Sequence, residues 1–318
     1  MSNRSLKHLR QRVVVSFIVF IVSWSSATLA QQRDLQQTLG HTVFDEQLAS
    51  YRFERFTVES QTPERHWRVT LGIPRQAPPD QGYPAFWMLD GNAALMEFDA
   101  ALLESIEDQS APPVLVFLGY DNDLRIDRTR IQDYTYTALA DDEGRGGGAK
   151  AFLAAIERHI RPAVERHVHT DPHRQTLWGH SLGGLFALYT LFTQPDAFST
   201  YAAGSPSLWW GEGALLDALD SDSAAYTTSE LRVLLSLGGG ERERDTSHRD
   251  MSDPRVRAHL QRVSSVPPEA VEQLAERLDG FDGVTADYRE FPGLSHGETF
   301  RASLMAALGD VTGMSPID

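Results

Sequence analysis

The residues of this chain best suited to chemistry are Gly179-His180-Ser181-Leu182-Gly183-Gly184. An apolar run, Gln175-Thr176-Leu177-Trp178, enters the stretch, and an apolar helix pattern from Leu185 to Phe192 leaves it. The pattern describes a buried strand, a tight turn with a serine at its apex, and a helix behind it. Gly179 and Gly183 remove side chains where strand and helix crowd together, so Ser181 can occupy a strained, exposed turn. A serine presented in this way is a nucleophile, but a weak one until a base takes its proton. The rest of the chain must therefore deliver a histidine, an acid to orient it, and donors for an oxyanion.

The elements that would do so can be read in order. Phe53 to Val58 and Trp67 to Ile73 alternate in strand fashion and predict a two-stranded antiparallel edge. Pro84 to Leu89 is a continuous apolar run, as expected of a central strand covered on both faces. It ends at Asp90-Gly91-Asn92, where Asn92 is placed to cap a helix from Ala93 to about Glu107. Val114 to Gly119 is the next buried strand, followed by an irregular insertion over about 120–148 that reads as a lid or binding loop. An amphipathic helix from Lys150 to about His167 leads to the serine turn. Strands at Phe198 to Gly204, Leu231 to Leu237 and Val284 to Phe291 follow it. Helices are expected over roughly Pro254–Val263, Pro268–Leu278 and Glu298–Leu308. Strands alternating with helices imply a mostly parallel central sheet with helices on both faces, an α/β-hydrolase arrangement in one domain over 51–312.

In that arrangement chain order runs serine, acid, histidine, each at the carboxyl end of a strand. His296, in the loop after the final strand, is where the base should stand, although the chain holds 11 histidines. His180 inside the motif suits turn packing. His167, His169 and His173 lack neighbouring carboxylate or cysteine ligands at metal-site spacing, so no metal is expected. The acid should follow the strand before last, where Glu241, Glu243 and Asp245 all qualify. Glu241 is nearest the strand end, while a solvated charge run with no catalytic member is the competing reading. Asp90 precedes Ser181 and is in the wrong order. The backbone N–H of Leu182 should be one oxyanion donor, and that of Gly91 or Asn92 the other.

Residues 1–30 stand apart. Arg4, Lys7, Arg10 and Arg12 precede an apolar run from Val13 to Trp24, and Ser25 to Ala30 supplies small residues for cleavage. That is a signal peptide, with an uncleaved N-terminal anchor as the alternative; the run is too short for stable membrane insertion. Residues 31–50 read as a polar lead-in. The protein should be periplasmic or secreted, and the absence of cysteine rules out a disulfide framework and thiol chemistry. The chain carries −15, and about −19 once the four positive charges of residues 1–30 are removed, which argues against nucleic acid or an anionic membrane as partner.

The chain resembles the putative-esterase family of α/β hydrolases, and within it the periplasmic enterobactin/salmochelin esterases, which cleave siderophore trilactones. The matching stretches are Tyr83 to Ala93, Gly119-Tyr120, Arg130 with Asp133-Tyr134-Thr135, Gly179 to Gly184, Ser205-Pro206-Ser207-Leu208-Trp209-Trp210, and His296-Gly297. The resemblance implies Ser181 as nucleophile and His296 as base, in a pair that can work with a weak or absent third member. It places Arg130 in the pocket near the ester or a catecholate. The plain alternative pairs Arg130 with Asp127 or Asp133. Trp209 and Trp210 would wall an acyl or aromatic pocket, or else be core residues.

The combined expectation is an exported serine esterase acting on a small-molecule ester, a catecholate siderophore by resemblance, with no cofactor. Acyl transfer, feruloyl or general carboxylester hydrolysis, and an inactive siderophore-binding or scaffold protein are the alternatives. A polyanionic ferric siderophore would be repelled by a chain near −19, unless Arg125, Arg128 and Arg130 offset that charge locally.

Overall fold

The continuous apolar runs become central strands because alternate side chains enter two different cores. The computed structural model describes residues 37–61, 64–139, 144–221, 230–243 and 251–314. Residues 1–30, expected to be a signal peptide, the start of the polar lead-in and Asp245 lie outside the described residues. Strands β3 (Tyr83–Met88) and β4 (Val114–Tyr120) are buried along their whole lengths. Ala85, Trp87, Val114 and Val116 enter one core, and Phe86, Met88, Leu115 and Phe117 enter the other. Each large apolar side chain so buried contributes about 1.5–3 kcal/mol.

The other strands are β1 (Tyr51–Gln61), β2 (Glu64–Pro74), β5 (Thr170–His180), β6 (Thr200–Gly204), β7 (Leu231–Gly238) and β8 (Val284–Phe291). They form an eight-stranded sheet in the order β1-β2-β4-β3-β5-β6-β7-β8. β2 is antiparallel to both β1 and β4, and the remaining pairs are parallel. Only β1 of the predicted antiparallel pair is therefore an edge. The parallel strands end along one rim of the sheet, where α/β sheets present their ligands.

Helices cover both faces. They are α1 (Gly91–Leu95), α2 (Ala100–Glu107), α3 (Arg130–Tyr134), α4 (Ala149–Ala155), α5 (Arg161–His167), α6 (Leu182–Thr193), α7 (Ala214–Ser221), α8 (Pro254–Val263), α9 (Ala270–Asp279) and α10 (Thr299–Thr312). The helix expected from Ala93 to Glu107 is two helices. Asp99 breaks it and caps α2 by accepting from the Leu102 amide. Asn92 does not cap; it lies within α1 and its Nδ2 donates to the carbonyls of Asn122 and Leu124. Between α4 and α5 the chain widens into a π-turn, Ile156–Ile160. Pro162 follows at once, and its missing N–H removes the normal bond from the ladder there.

The insertion is packed, apart from residues 140–143, which lie outside the described residues. Tyr134 and Thr135 are buried. The Tyr136 hydroxyl donates to the Trp210 carbonyl at 2.6 Å, and the Trp210 indole donates to the Thr137 carbonyl at 2.8 Å. Residues 135–139 thus form a strap fastened through Tyr136 and Thr137 to the segment after β6.

Candidate active site

Five neighbouring strands bring their carboxyl ends to the site. Asp90, Ser181 and Ser205, just beyond β3, β5 and β6, hold φ values of 52°, 61° and 41°. Positive φ is costly for these side chains, about 1–3 kcal/mol each, and such strain gathers where chemistry needs a fixed geometry. A Cβ on Gly179 would lie 2.3 Å from the Gly183 carbonyl oxygen, so the strand can meet the helix only as glycine. Gly183 itself is not crowded, contrary to expectation: its nearest neighbour would be Leu89 Cβ at 3.4 Å. Gly184 is the second tight position, with the Gly179 and Gly204 carbonyl oxygens each 3.2 Å from where a Cβ would stand.

Ser181 Oγ stands 3.1 Å from His296 Nε2, and His296 Nδ1 stands 2.7 Å from Glu241 Oε2. The other Glu241 oxygen accepts from the Ser205 hydroxyl at 2.5 Å and the Gly238 amide at 3.1 Å. Burial would raise the Glu241 carboxyl, but the hydrogen bond and charge of His296 and the two further donors outweigh it, so it lies below the ordinary glutamate value. Arg242, the next residue, binds Glu290 at 2.7 Å and Glu269 at 2.8 Å, which anchors the turn from its far side. Glu243 is exposed beyond that turn. Of the two described carboxylates among those left open by the sequence, Glu241 meets His296 and Glu243 does not.

Leu182 opens α6, and Gly91 and Asn92 open α1; amides at such positions lack intrahelical acceptors. A Cβ on Gly91 would lie 2.5 Å from the carbonyl carbon of Phe117, so this turn presses directly on β4. A serine, an imidazole and a carboxylate joined in this order are parts of an acyl-transfer centre. A family model described as "Putative esterase" matches residues 60–311. The chain belongs to this esterase family. It is 32% identical over 285 residues to the apo-salmochelin esterase of Escherichia coli O6:H1 (strain CFT073), covering 86% of this chain and 84% of that one. It is 30% identical over 256 residues to the ferri-bacillibactin esterase BesA of Bacillus subtilis (strain 168), covering 75% and 82%. The solved structure of the enterobactin hydrolase IroE in complex with DFP matches with a TM-score of 0.64 at 30% identity, over 85% of this chain and 99% of that one. The chain is accordingly an ester hydrolase with the α/β-hydrolase fold.

In this esterase Arg130 pairs with neither Asp127 nor Asp133. Its Nη2 lies 2.7 Å from Asp90 Oδ2 and donates to the His180 carbonyl at 3.2 Å. Burial pushes the Asp90 carboxyl above its ordinary value, although Arg130 pulls the other way. Asp133 is instead held by the Trp67 indole, the Tyr120 hydroxyl and Arg65. Arg125 is buried and paired with Glu97, whereas Arg128 is exposed. Two of the three arginines expected to offset the charge locally are therefore already neutralised.

Trp210 is buried and fastened to the strap, while half-buried Trp209 packs against it and edge-on to His259. His180 lies beneath His296, with ring centroids 4.7 Å apart. His167 binds Glu54 at 2.7 Å and stacks on Phe56, and His169 faces Glu165. Among the described residues no three His, Cys, Asp or Glu side chains converge as a metal site would require. Ser205, Ser207 and Arg242 are members of this neighbourhood that spacing did not single out. Ser207 Oγ lies 3.2 Å from Ser181 Oγ.

Proposed function

We propose that this chain is an exported serine esterase that hydrolyses siderophore-type ester linkages through an acyl-enzyme. The observation that carries the reading is the continuous relay Ser181–His296–Glu241, with separations of 3.1 and 2.7 Å. Neutral His296 holds its Nδ1 proton toward Glu241 and offers the Nε2 lone pair to Ser181. Ser181 Oγ attacks the ester carbonyl as its proton passes to Nε2. The oxyanion is received by the Leu182 N–H and that of Gly91 or Asn92. Collapse expels the alcohol, which takes the proton from His296. Water, activated by the same imidazole, then releases the acid and frees Ser181.

Two curated relatives with siderophore-esterase names, and a solved enterobactin-hydrolase structure, each matched over most of this chain's length, support the substrate class. Arg130 would act as a half-buried brace between Asp90 and the nucleophile strand, and Trp209 and Trp210 would wall the place of the ester. The basic, apolar and small-residue order of residues 1–30 supports export to the periplasm or beyond. Residues 51–312 would act as one domain.

Ser181→Ala tests the mechanism: hydrolysis of a p-nitrophenyl ester should disappear in a protein that still melts cooperatively, and a fluorophosphonate should label only the unaltered chain. Wild-type turnover in that variant overturns the reading. A panel of enterobactin-type trilactones, feruloyl esters and short acyl esters ranks the substrates. Product analysis with added alcohols separates hydrolysis from acyl transfer.

A further inference from the structure

The turn after β6 touches both ends of the relay. Ser205 Oγ reaches Glu241 Oε1 at 2.5 Å, and a carboxylate can only accept, so Ser205 is the donor. Two residues later, Ser207 Oγ lies 3.2 Å from Ser181 Oγ. Ser181 has one hydroxyl hydrogen, and His296 Nε2 at 3.1 Å must receive it for the base to work. The hydrogen between the two serines therefore belongs to Ser207. Ser207 holds the nucleophile twice, since its amide also donates to the Ser181 carbonyl at 3.0 Å.

The turn is built to stay where it is. Both serines are 2% exposed. Ser205 takes the left-handed conformation with φ 41°, and its amide donates to the Ser236 carbonyl of β7 at 2.8 Å. Pro206 lies against the first turn of α6, its Cα 3.2 Å from where a Cβ on Gly184 would stand. Proline fixes φ, so the two hydroxyls are presented at a set separation.

Resting on the serine-esterase reading above, we infer that Ser205-Pro206-Ser207 is a clamp whose two hydroxyls position the acid and the nucleophile of one relay. Ser205 and Ser207 are positioning residues: neither exchanges a proton with the substrate. Ser205 ties down the Glu241 oxygen that does not face His296. Ser207 occupies a lone pair of Ser181 Oγ and so favours the rotamer whose proton points at His296.

The two halves separate in a double-mutant cycle on a p-nitrophenyl ester. Ser207→Ala should lower kcat about tenfold, the size of one lost hydrogen bond, with KM changed less than about twofold. Ser207→Thr, which restores a hydroxyl, should recover most of that loss. Ser205→Ala should lower kcat about fivefold in the wild-type background and less than about twofold in Glu241→Ala, where nothing remains for Ser205 to hold. Ser207→Ala should keep its full effect in Glu241→Ala. Undiminished kcat in Ser207→Ala, or a Ser205→Ala loss that multiplies fully with Glu241→Ala, overturns the clamp. If Ser207→Ala lacks a cooperative melt, Ser207→Cys carries the same expectation, because it keeps the bulk and offers only a weak donor. Those outcomes leave the esterase mechanism standing; only an active Ser181→Ala removes it.

Discussion

His296 Nδ1 and Glu241 Oε2 meet at 2.7 Å across the ends of β7 and β8, and the second Glu241 oxygen is spoken for by Ser205 and Gly238. Such a carboxylate can orient only one imidazole in only one way. Glu241→Gln should therefore lower kcat by at least about 100-fold, because an amide no longer selects the working tautomer or steadies the imidazolium. Steady-state kinetics on a p-nitrophenyl ester measures it.

The same carboxylate predicts a stability profile. Its folded pKa lies below the ordinary glutamate value, so the folded state binds this proton less readily than the unfolded chain. The contribution is complete above the ordinary glutamate range and is lost as pH falls through the lower folded value. Urea midpoints of the wild type and Glu241→Gln should differ at neutral pH and converge in acid.

Gly179 and Gly183 should respond oppositely to the same methyl group. Gly179→Ala places Cβ 2.3 Å from a backbone oxygen, which neither neighbour can relieve, and should cost at least about 3 kcal/mol or prevent folding. Gly183→Ala meets only ordinary contacts inside a helix and should change stability by no more than about 1 kcal/mol, in the favourable direction. Thermal melts of the two variants decide it.

Arg130→Ala strands the buried Asp90 carboxylate and should cost about 3–5 kcal/mol at neutral pH. Burial already raises Asp90, and losing Arg130 raises it further. The folded state then holds the proton more tightly than the unfolded chain. The deficit should be smallest in acid and grow as pH rises through the raised folded value. Denaturation at several pH values reads the slope, and a pH-independent deficit would contradict the pairing.

Charge should be visible in kinetics. With about −19 on the chain beyond residue 30, and with Arg125 and Arg130 each already paired, a polyanionic ester approaches against the field. Added salt should raise its kcat/KM and leave that of a neutral ester unchanged.

The fold was legible where burial is two-sided or strictly periodic. β3 and β4 follow continuous apolar runs that leave no other strand assignment, and chain order led to His296. What the sequence hides is settled by contacts between distant segments. Asn92 is no cap because α1 already begins at Gly91, behind a left-handed Asp90, and a separate helix begins behind Asp99. Arg130 finds Asp90 forty positions away while two nearer aspartates are engaged elsewhere. Glu241 is distinguishable from Glu243 only once the short turn Gly239–Glu241 aims one inward and leaves the other in solvent. Ser205 and Ser207 carry no periodic signal at all, being polar residues in a loop until the sheet closes.

The strap is joined to the backbone of the nucleophile itself. From Thr137 to the nucleophile the path is three hydrogen bonds long: Trp210 indole to Thr137 carbonyl, Trp210 amide to Ser207 carbonyl at 3.0 Å, Ser207 amide to Ser181 carbonyl at 3.0 Å. A substitution at Trp210 would therefore reach the backbone beside the attacking oxygen, and altering this segment to suit another ester would disturb the nucleophile's footing in the same step.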